Sequence, residues 1–73
     1  MTRLAQLSLV SKTRGLIIWT FWKNETDVNL TGYVASSIDA YGNTNRYSYE
    51  SMAALRDGYR TLREQYGYSP VAA

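Results

Sequence analysis

Between Gly15 and Lys23 the chain reads GLIIWTFWK, a run in which every residue from Leu16 to Trp22 is large and apolar, aromatic or β-branched. That density of β-branched and aromatic side chains reads as a strand. Strand geometry sends successive side chains to opposite faces. Ile17, Trp19 and Phe21 therefore share one face, and Leu16, Ile18 and Trp22 share the other. Both faces are apolar, in a chain of only 73 residues. One helix can cover one face of a small sheet, so the second face keeps apolar groups near solvent, the usual sign of an interaction site. The run also falls far short of the ~20 residues that a membrane-spanning helix needs.

Composition narrows the ways such a sheet can be held together. The chain has no cysteine and no histidine. A disulfide framework and the usual zinc sites are thereby excluded. Its six carboxylates are spread singly along the sequence. Packing must supply the stability, with help from a partner or a second copy. Without His or Cys, and with two lysines, the chain lacks the pairs that nucleophilic or acid–base catalysis requires. No enzyme activity and no cofactor are expected. The net charge of +2, with six of eight basic residues arginine, permits nucleic-acid contact without arguing for it. The start, MTRLAQLSLVSK, lacks the continuous apolar stretch of a signal peptide. The Asn-x-Thr triplets at Asn24 and Asn29 are accordingly read as coincidence, and a cytoplasmic location is expected.

The pattern predicts a single α+β domain over residues 1–73: a three-stranded antiparallel meander followed by one C-terminal helix packed on one face. Residues 3–11 alternate, with Ala5, Leu7 and Leu9 on one side and Gln6 and Ser8 on the other. Lys12 to Gly15 turns the chain into a second strand, 16–23. Asn24 to Asp27 forms a hairpin loop. The third strand covers 28–38, with Val28, Leu30, Val34 and Ile38 at even positions, and Gly32 inside it suggests a bulge or a close approach. After a loop at 41–45, Arg46 and Tyr47 add a few extended residues. Ser48 is the expected N-cap of a helix at 49–66, with Glu50 in its first turn. Met52, Leu55, Tyr59, Leu62 and Tyr66 make its buried face, at spacings of 3, 4, 3 and 4. Gly67 caps it, Pro70 forbids continuation, and 67–73 is a frayed tail.

Three groups of residues are candidates for binding. Arg56, Arg60 and Arg63 recur at helical spacing and form one stripe. An outer helix face is charged in any amphipathic helix, and Arg60 could simply pair with Asp57 or Glu64. As a functional feature the stripe would meet phosphates or a partner's acidic groups, for which arginine is well suited. Seven tyrosines are a surplus for this length. Tyr41, Tyr47, Tyr49 and Tyr68 flank loops and helix ends, where they either pack at edges or build an interface, since tyrosine, tryptophan and arginine are enriched at interfaces. Arg3, Lys12 and Arg14 form a basic cluster about the first strand. The expected contact set is Arg3, Arg14 and Trp22 with Arg56, Arg60 and Arg63.

A tiny chain without Cys or His, of order β-β-β-α and rich in Tyr, Trp and Arg, resembles the small host-takeover proteins of bacteriophages. Among these it is similar in length and make-up to the RNA polymerase-binding antitermination proteins of phages. The resemblance covers the whole chain in size and character and transfers no individual residue. It implies a non-enzymatic regulator that binds bacterial RNA polymerase, inhibits host promoters and lets transcription pass terminators. The implied partner is a bacterial protein complex, with nucleic acid as a secondary contact and no membrane. Anti-CRISPR and other phage inhibitors are similar in size and sometimes in element order. A DNA- or RNA-binding domain is the alternative from another class, because three strands and a helix also build sheet-based DNA readers. Such a sheet needs Arg, Lys, Asn or Gln on its open face, where the second strand offers aliphatic and aromatic groups.

Overall fold

The computed structural model describes residues 2–24 and 32–71. Six elements follow in chain order: strand β1 (Thr2–Ser11), β2 (Gly15–Asn24), β3 (Gly32–Ile38), β4 (Thr44–Tyr49), helix α1 (Met52–Glu64) and strand β5 (Ser69–Pro70). The α+β class and the antiparallel sheet with one helix agree with expectation. Among the described residues, however, the sheet has five strands rather than three, in the order β4-β3-β2-β1-β5, every neighbour antiparallel. The proposed positions 25–27 of the hairpin loop and 28–31 of the third strand lie outside the described residues.

Each revision has a local cause. The sequence TNRYSY of β4 carries no aliphatic alternation, yet it pairs along its whole length with β3, from Ile38↔Thr44 to Tyr33↔Tyr49. Because Ser48 and Tyr49 belong to that ladder, the helix cannot begin there. Ser51 is the N-cap instead, its hydroxyl accepting the Ala54 N–H at 3.1 Å. Glu50 falls before the cap, and the first turn contains no acidic residue. At the other end the helix stops at Glu64 rather than continuing to Tyr66. Gly67 takes a left-handed φ of 76° that a side chain would resist. The chain doubles back so that the Tyr68 N–H reaches the Leu62 carbonyl at 3.0 Å. Tyr68 thus enters the core, whereas Tyr66 stays exposed. The expected frayed tail is in fact β5, pairing Pro70 with Leu7 and Ser69 with Ser8.

The core lies between α1 and one face of the sheet. Leu7 and Phe21 are fully buried, joined by Ile17, Ala35, Leu55 and Tyr68. Leu7, Ile17 and Phe21 stand at odd positions of β1 and β2, as alternation from Ala5 and Ile17 predicts. In β3 it is Ala35, not the even-numbered Val34 and Ile38, that joins this cluster, while Leu55 comes from α1 and Tyr68 from the segment after it. Burial of each large apolar side chain contributes about 1.5–3 kcal/mol relative to exposure. Tyr59 of the helix meets Phe21 edge-on, with ring centroids 5.5 Å apart. The connection from β4 at one edge to β5 at the other carries α1 across this face. No described helix lies on the opposite face.

Two irregularities shape that open face. Between Arg3 and Ala5 the register shifts, so that Arg3 pairs with Trp22 while Ala5 pairs with Phe21. Parity alone would place Arg3 on the helix side with Ala5. The bulge at Leu4 moves it to the open side beside Trp22, since paired residues share a face. Gly32 starts β3 with φ of 138°, and a side chain there would stand 2.6 Å from the Tyr49 carbonyl oxygen. The close approach expected at Gly32 is therefore contact with the backbone of β4.

Candidate interaction surfaces

The pairing registers lay out the open face as rows across the strands. At one end Arg3, Trp22, Val34 and Ser48 stand in line. Next come Gln6, Thr20, Ser36 and Arg46, then Ser8, Ile18, Ile38 and Thr44, and finally the pair Val10 and Leu16. Hydrogen bonds tie polar groups within a row and between neighbouring rows. The Gln6 amide donates to Thr20 Oγ1 at 3.1 Å, and the Trp22 indole N–H donates to Ser36 Oγ at 3.3 Å. The far corner is aliphatic, with Val10 79%, Leu16 47% and Ile38 49% exposed. None of the described carboxylates belongs to these rows, while Arg3 and Arg46 do. The face is thus mixed, and Gln6, Arg3 and Arg46 supply polar groups that strand two by itself does not.

A second surface lies on the helix side, at the β4 edge. Trp19, Tyr47, Tyr49, Tyr66 and Tyr68 line an open cleft of about 390 Å³, closed along one side by Gly58, Thr61 and Leu62 and at one end by Arg14. Trp19 and Tyr47 stack at 5.7 Å between centroids, with their planes 28° apart. Burial and the neighbouring Tyr47 hold the Tyr49 hydroxyl above its ordinary pKa of 10.0. The tyrosine surplus in the sequence was the signal for this cleft. Periodicity gave no sign that β4 would gather the tyrosines.

Arg14 is anchored there by a turn rather than left as a free cationic group. Ser11 Oγ accepts the backbone N–H groups of Thr13 and Arg14, each at 3.2 Å, which fixes the β1–β2 turn. Arg14 Nε then donates to Asp39 Oδ2 at 3.1 Å. The Asp39 carboxylate also accepts from the Tyr41 N–H at 2.9 Å, the Asn43 N–H at 3.0 Å and the Asn43 side-chain amide at 3.1 Å. Burial opposes ionisation of this carboxyl. The hydrogen bonds from Asn43, Arg14 and Tyr41 outweigh it and lower the pKa from 3.8 to about 2. The shielding comes from its own turn, not from the hydrophobic core, and the Arg14 side chain remains 42% exposed.

The expected contact set is therefore distributed over three places. Arg3 and Trp22 are brought together on the open face, and Arg14 belongs to the aromatic cleft. Arg56, Arg60 and Arg63 are exposed on α1 and border a shallow depression with Tyr59 and Glu64. None of the three makes an ion pair among the described residues. Lys12 is exposed in the β1–β2 turn, away from Arg3 at the opposite end of β1. Among the described residues no cluster of acidic side chains suits a metal ion, and no helix is long and apolar enough to cross a membrane.

These features define a small antiparallel α+β domain with a helix on one face, an open mixed face and an aromatic edge cleft. No known protein family, curated protein or solved structure matches the chain.

Proposed function

We propose that the chain is a non-enzymatic, phage-encoded regulator that docks on bacterial RNA polymerase through its open sheet face and biases transcription. The observation that carries the docking reading is the exposed aliphatic corner of Val10, Leu16 and Ile38 beside Ile18. Aliphatic groups held exposed on a rigid sheet gain by desolvation against a protein surface, and Trp22 with Arg3 adds the residue types that dominate protein interfaces. The polymerase as target rests on the resemblance in size and composition alone. Regulation would follow from preferential binding to one polymerase state, with inhibition of promoters or passage through terminators as the outcome. Localisation in the bacterial cytoplasm belongs to the same reading.

The test is direct binding of the full chain to purified bacterial RNA polymerase, followed by promoter and terminator transcription assays. Leu16→Ser with Ile38→Ser should abolish binding and leave the circular-dichroism spectrum unchanged. Arg60→Glu with Arg63→Glu should weaken it if the helix stripe takes part, and equal binding would reduce the stripe to a solvated face. Failure of the parent chain to bind polymerase overturns the target.

A second reading is favoured by Gln6, Arg3 and Arg46 on the same face. They give it hydrogen-bonding groups for a nucleic acid, with Trp22 available for stacking. Binding of oligonucleotides that weakens steeply with added salt, together with no binding of polymerase, would establish this alternative.

A further inference from the structure

We infer that β4 is a receiving edge for an extended, acidic segment of a partner protein, which adds as a sixth strand and lowers alternate side chains into the aromatic cleft. This surface shares Arg46 with the open face, and the aromatic cleft on the helix side does not depend on what that face binds.

The edge itself is the first observation. β4 closes one side of the sheet, and no described strand pairs with its outer side. At the other side β1 is partly covered by β5. Sheet edges are normally guarded by proline, lysine, bulges or very short strands. β4 has six residues and no proline, its one charged side chain is Arg46, and its pairing with β3 runs without a register break. Its outer N–H and C=O groups are thus laid out regularly for a further strand.

The cleft supplies the second observation. Asn45, Tyr47 and Tyr49 are the β4 residues that point to the helix side, and the two tyrosines form the wall of the cleft nearest the edge. An added strand would run about 4.7–4.9 Å beyond β4, with side chains alternating between the two faces. Every second side chain would therefore descend next to Tyr47 and Tyr49, where the cleft is open. Main-chain pairing gives such addition its affinity, and pockets for alternate side chains give its specificity. Aromatic or branched apolar side chains suit walls of Trp19, Tyr47 and Tyr66.

Charge decides which kind of segment fits. Arg14 lines the cleft, and none of the described carboxylates does. The Asp39 carboxylate offsets part of the Arg14 charge, but the bond between them uses Nε alone and the Arg14 side chain stays 42% exposed, so the guanidinium can still meet a second carboxylate. On the opposite side of β4, Arg46 presents a second positive charge. A segment with a carboxylate toward each face is complementary. A second copy of this chain is less complementary, because its β4 also carries Arg46 and its nearest carboxylate, Glu50, lies just beyond the strand. The cleft and edge together therefore select an acidic peptide strand over self-pairing.

The experiment follows the backbone amides of the full chain by nitrogen-15 NMR during titration with the probe acetyl-EVTVTWTE-amide. This peptide alternates apolar and polar residues and ends in carboxylates. Binding should shift the amides of residues 44–49 and the Trp19 indole, and slow hydrogen exchange along β4. The same peptide with alternate amides N-methylated should bind at least about tenfold more weakly, the equivalent of one lost hydrogen bond. Replacing both glutamates by glutamine should weaken binding severalfold. The inference is overturned by equal binding of the N-methylated peptide, by shifts confined to the surroundings of Trp22, or by no β4 shift at millimolar peptide. β4 protection that depends on protein concentration alone would assign the edge to a second copy. Uridine monophosphate filling the cleft where the peptide does not would assign it to a nucleotide. Either result also overturns it.

Discussion

Gly58 lies directly under the Tyr49 ring: a methyl group at Gly58 would stand 2.5 Å from the Tyr49 hydroxyl oxygen and 3.0 Å from Cζ. The glycine is therefore a packing residue, and its cost to the helix is offset by the contact with β4. Glycine inside a helix is about 1 kcal/mol worse than alanine. Here Gly58→Ala is expected to destabilise despite that gain, because Tyr49 must shift away from α1 and its ring also walls the aromatic cleft. In the Tyr49→Phe background, where the nearest atom is gone, Gly58→Ala should be markedly less harmful. Urea unfolding of the four proteins in the cycle measures the coupling. Additive effects would mean that the two residues do not share the space.

The two tryptophans of β2 should separate cleanly. Trp19 faces the helix, packs against the core and stacks on Tyr47. Trp22 faces the open side, where its indole bonds to Ser36. Trp19→Ala is expected to cost about 2–3 kcal/mol, less than the ~3–5 kcal/mol of a fully buried tryptophan because Trp19 is only half-buried. Trp22→Ala should leave a cooperative fold and reduce binding to whatever occupies the open face. Chemical denaturation of both variants decides the matter, and a larger loss for Trp22→Ala would reverse the assignment of faces.

What could be read from the sequence depended on alternation. β1 alternates and β2 is a continuous β-branched and aromatic run, so both strands were legible, and strand parity grouped Ile17 and Phe21 with Trp19 and Leu7 with Ala5 and Leu9. β4 was not, because Tyr47 and Tyr49 alternate with Arg46 and Ser48 rather than with aliphatic groups, and tyrosine fits a helix lead-in equally well. Two serines three residues apart both suit an N-cap, and only the ladder between β3 and β4 selects Ser51 over Ser48. Tyr66 continues the helical spacing, but periodicity cannot register that the chain turns before it and buries Tyr68. The site was legible in part for similar reasons. Trp22 follows from strand parity, whereas Arg3 reaches its side only through the bulge at Leu4. The Arg14–Asp39 pair joins turns 25 residues apart, a separation that no local pattern encodes.

Ser37 is a different kind of residue on the helix side. It is 4% exposed, opposite Trp19 in the β2–β3 ladder, and its hydroxyl has no hydrogen-bond partner among the described residues. A buried hydroxyl without a partner costs about 1–3 kcal/mol in lost hydration. Ser37→Ala removes that penalty and leaves no large cavity. The variant is expected to be more stable by about 1 kcal/mol, seen as a higher urea midpoint with an unchanged slope. A less stable variant would show that the hydroxyl is bonded in solution.

Acid should expose the role of the Asp39 turn. The Asp39 pKa is lowered from 3.8 to about 2 in the folded chain. A depressed carboxylate contributes stability that is fully present above its unfolded pKa and is lost as pH falls through the folded one. Between about pH 5 and pH 2 the unfolded chain takes up a proton that the native turn resists, so stability falls through that window. Asp39→Asn should flatten this part of the profile. It should also lower stability at neutral pH, because an amide lacks the charge that Arg14 meets and cannot accept with both of its terminal atoms. Thermal unfolding from pH 7 to pH 2 for the parent and the variant provides the comparison. Arg14→Gln should reproduce only part of the effect, since the bonds from Tyr41 and Asn43 to the carboxylate remain. If both variants keep the parent's acid slope, the loss of stability arises elsewhere, and Arg14 is held in the cleft by something other than this carboxylate.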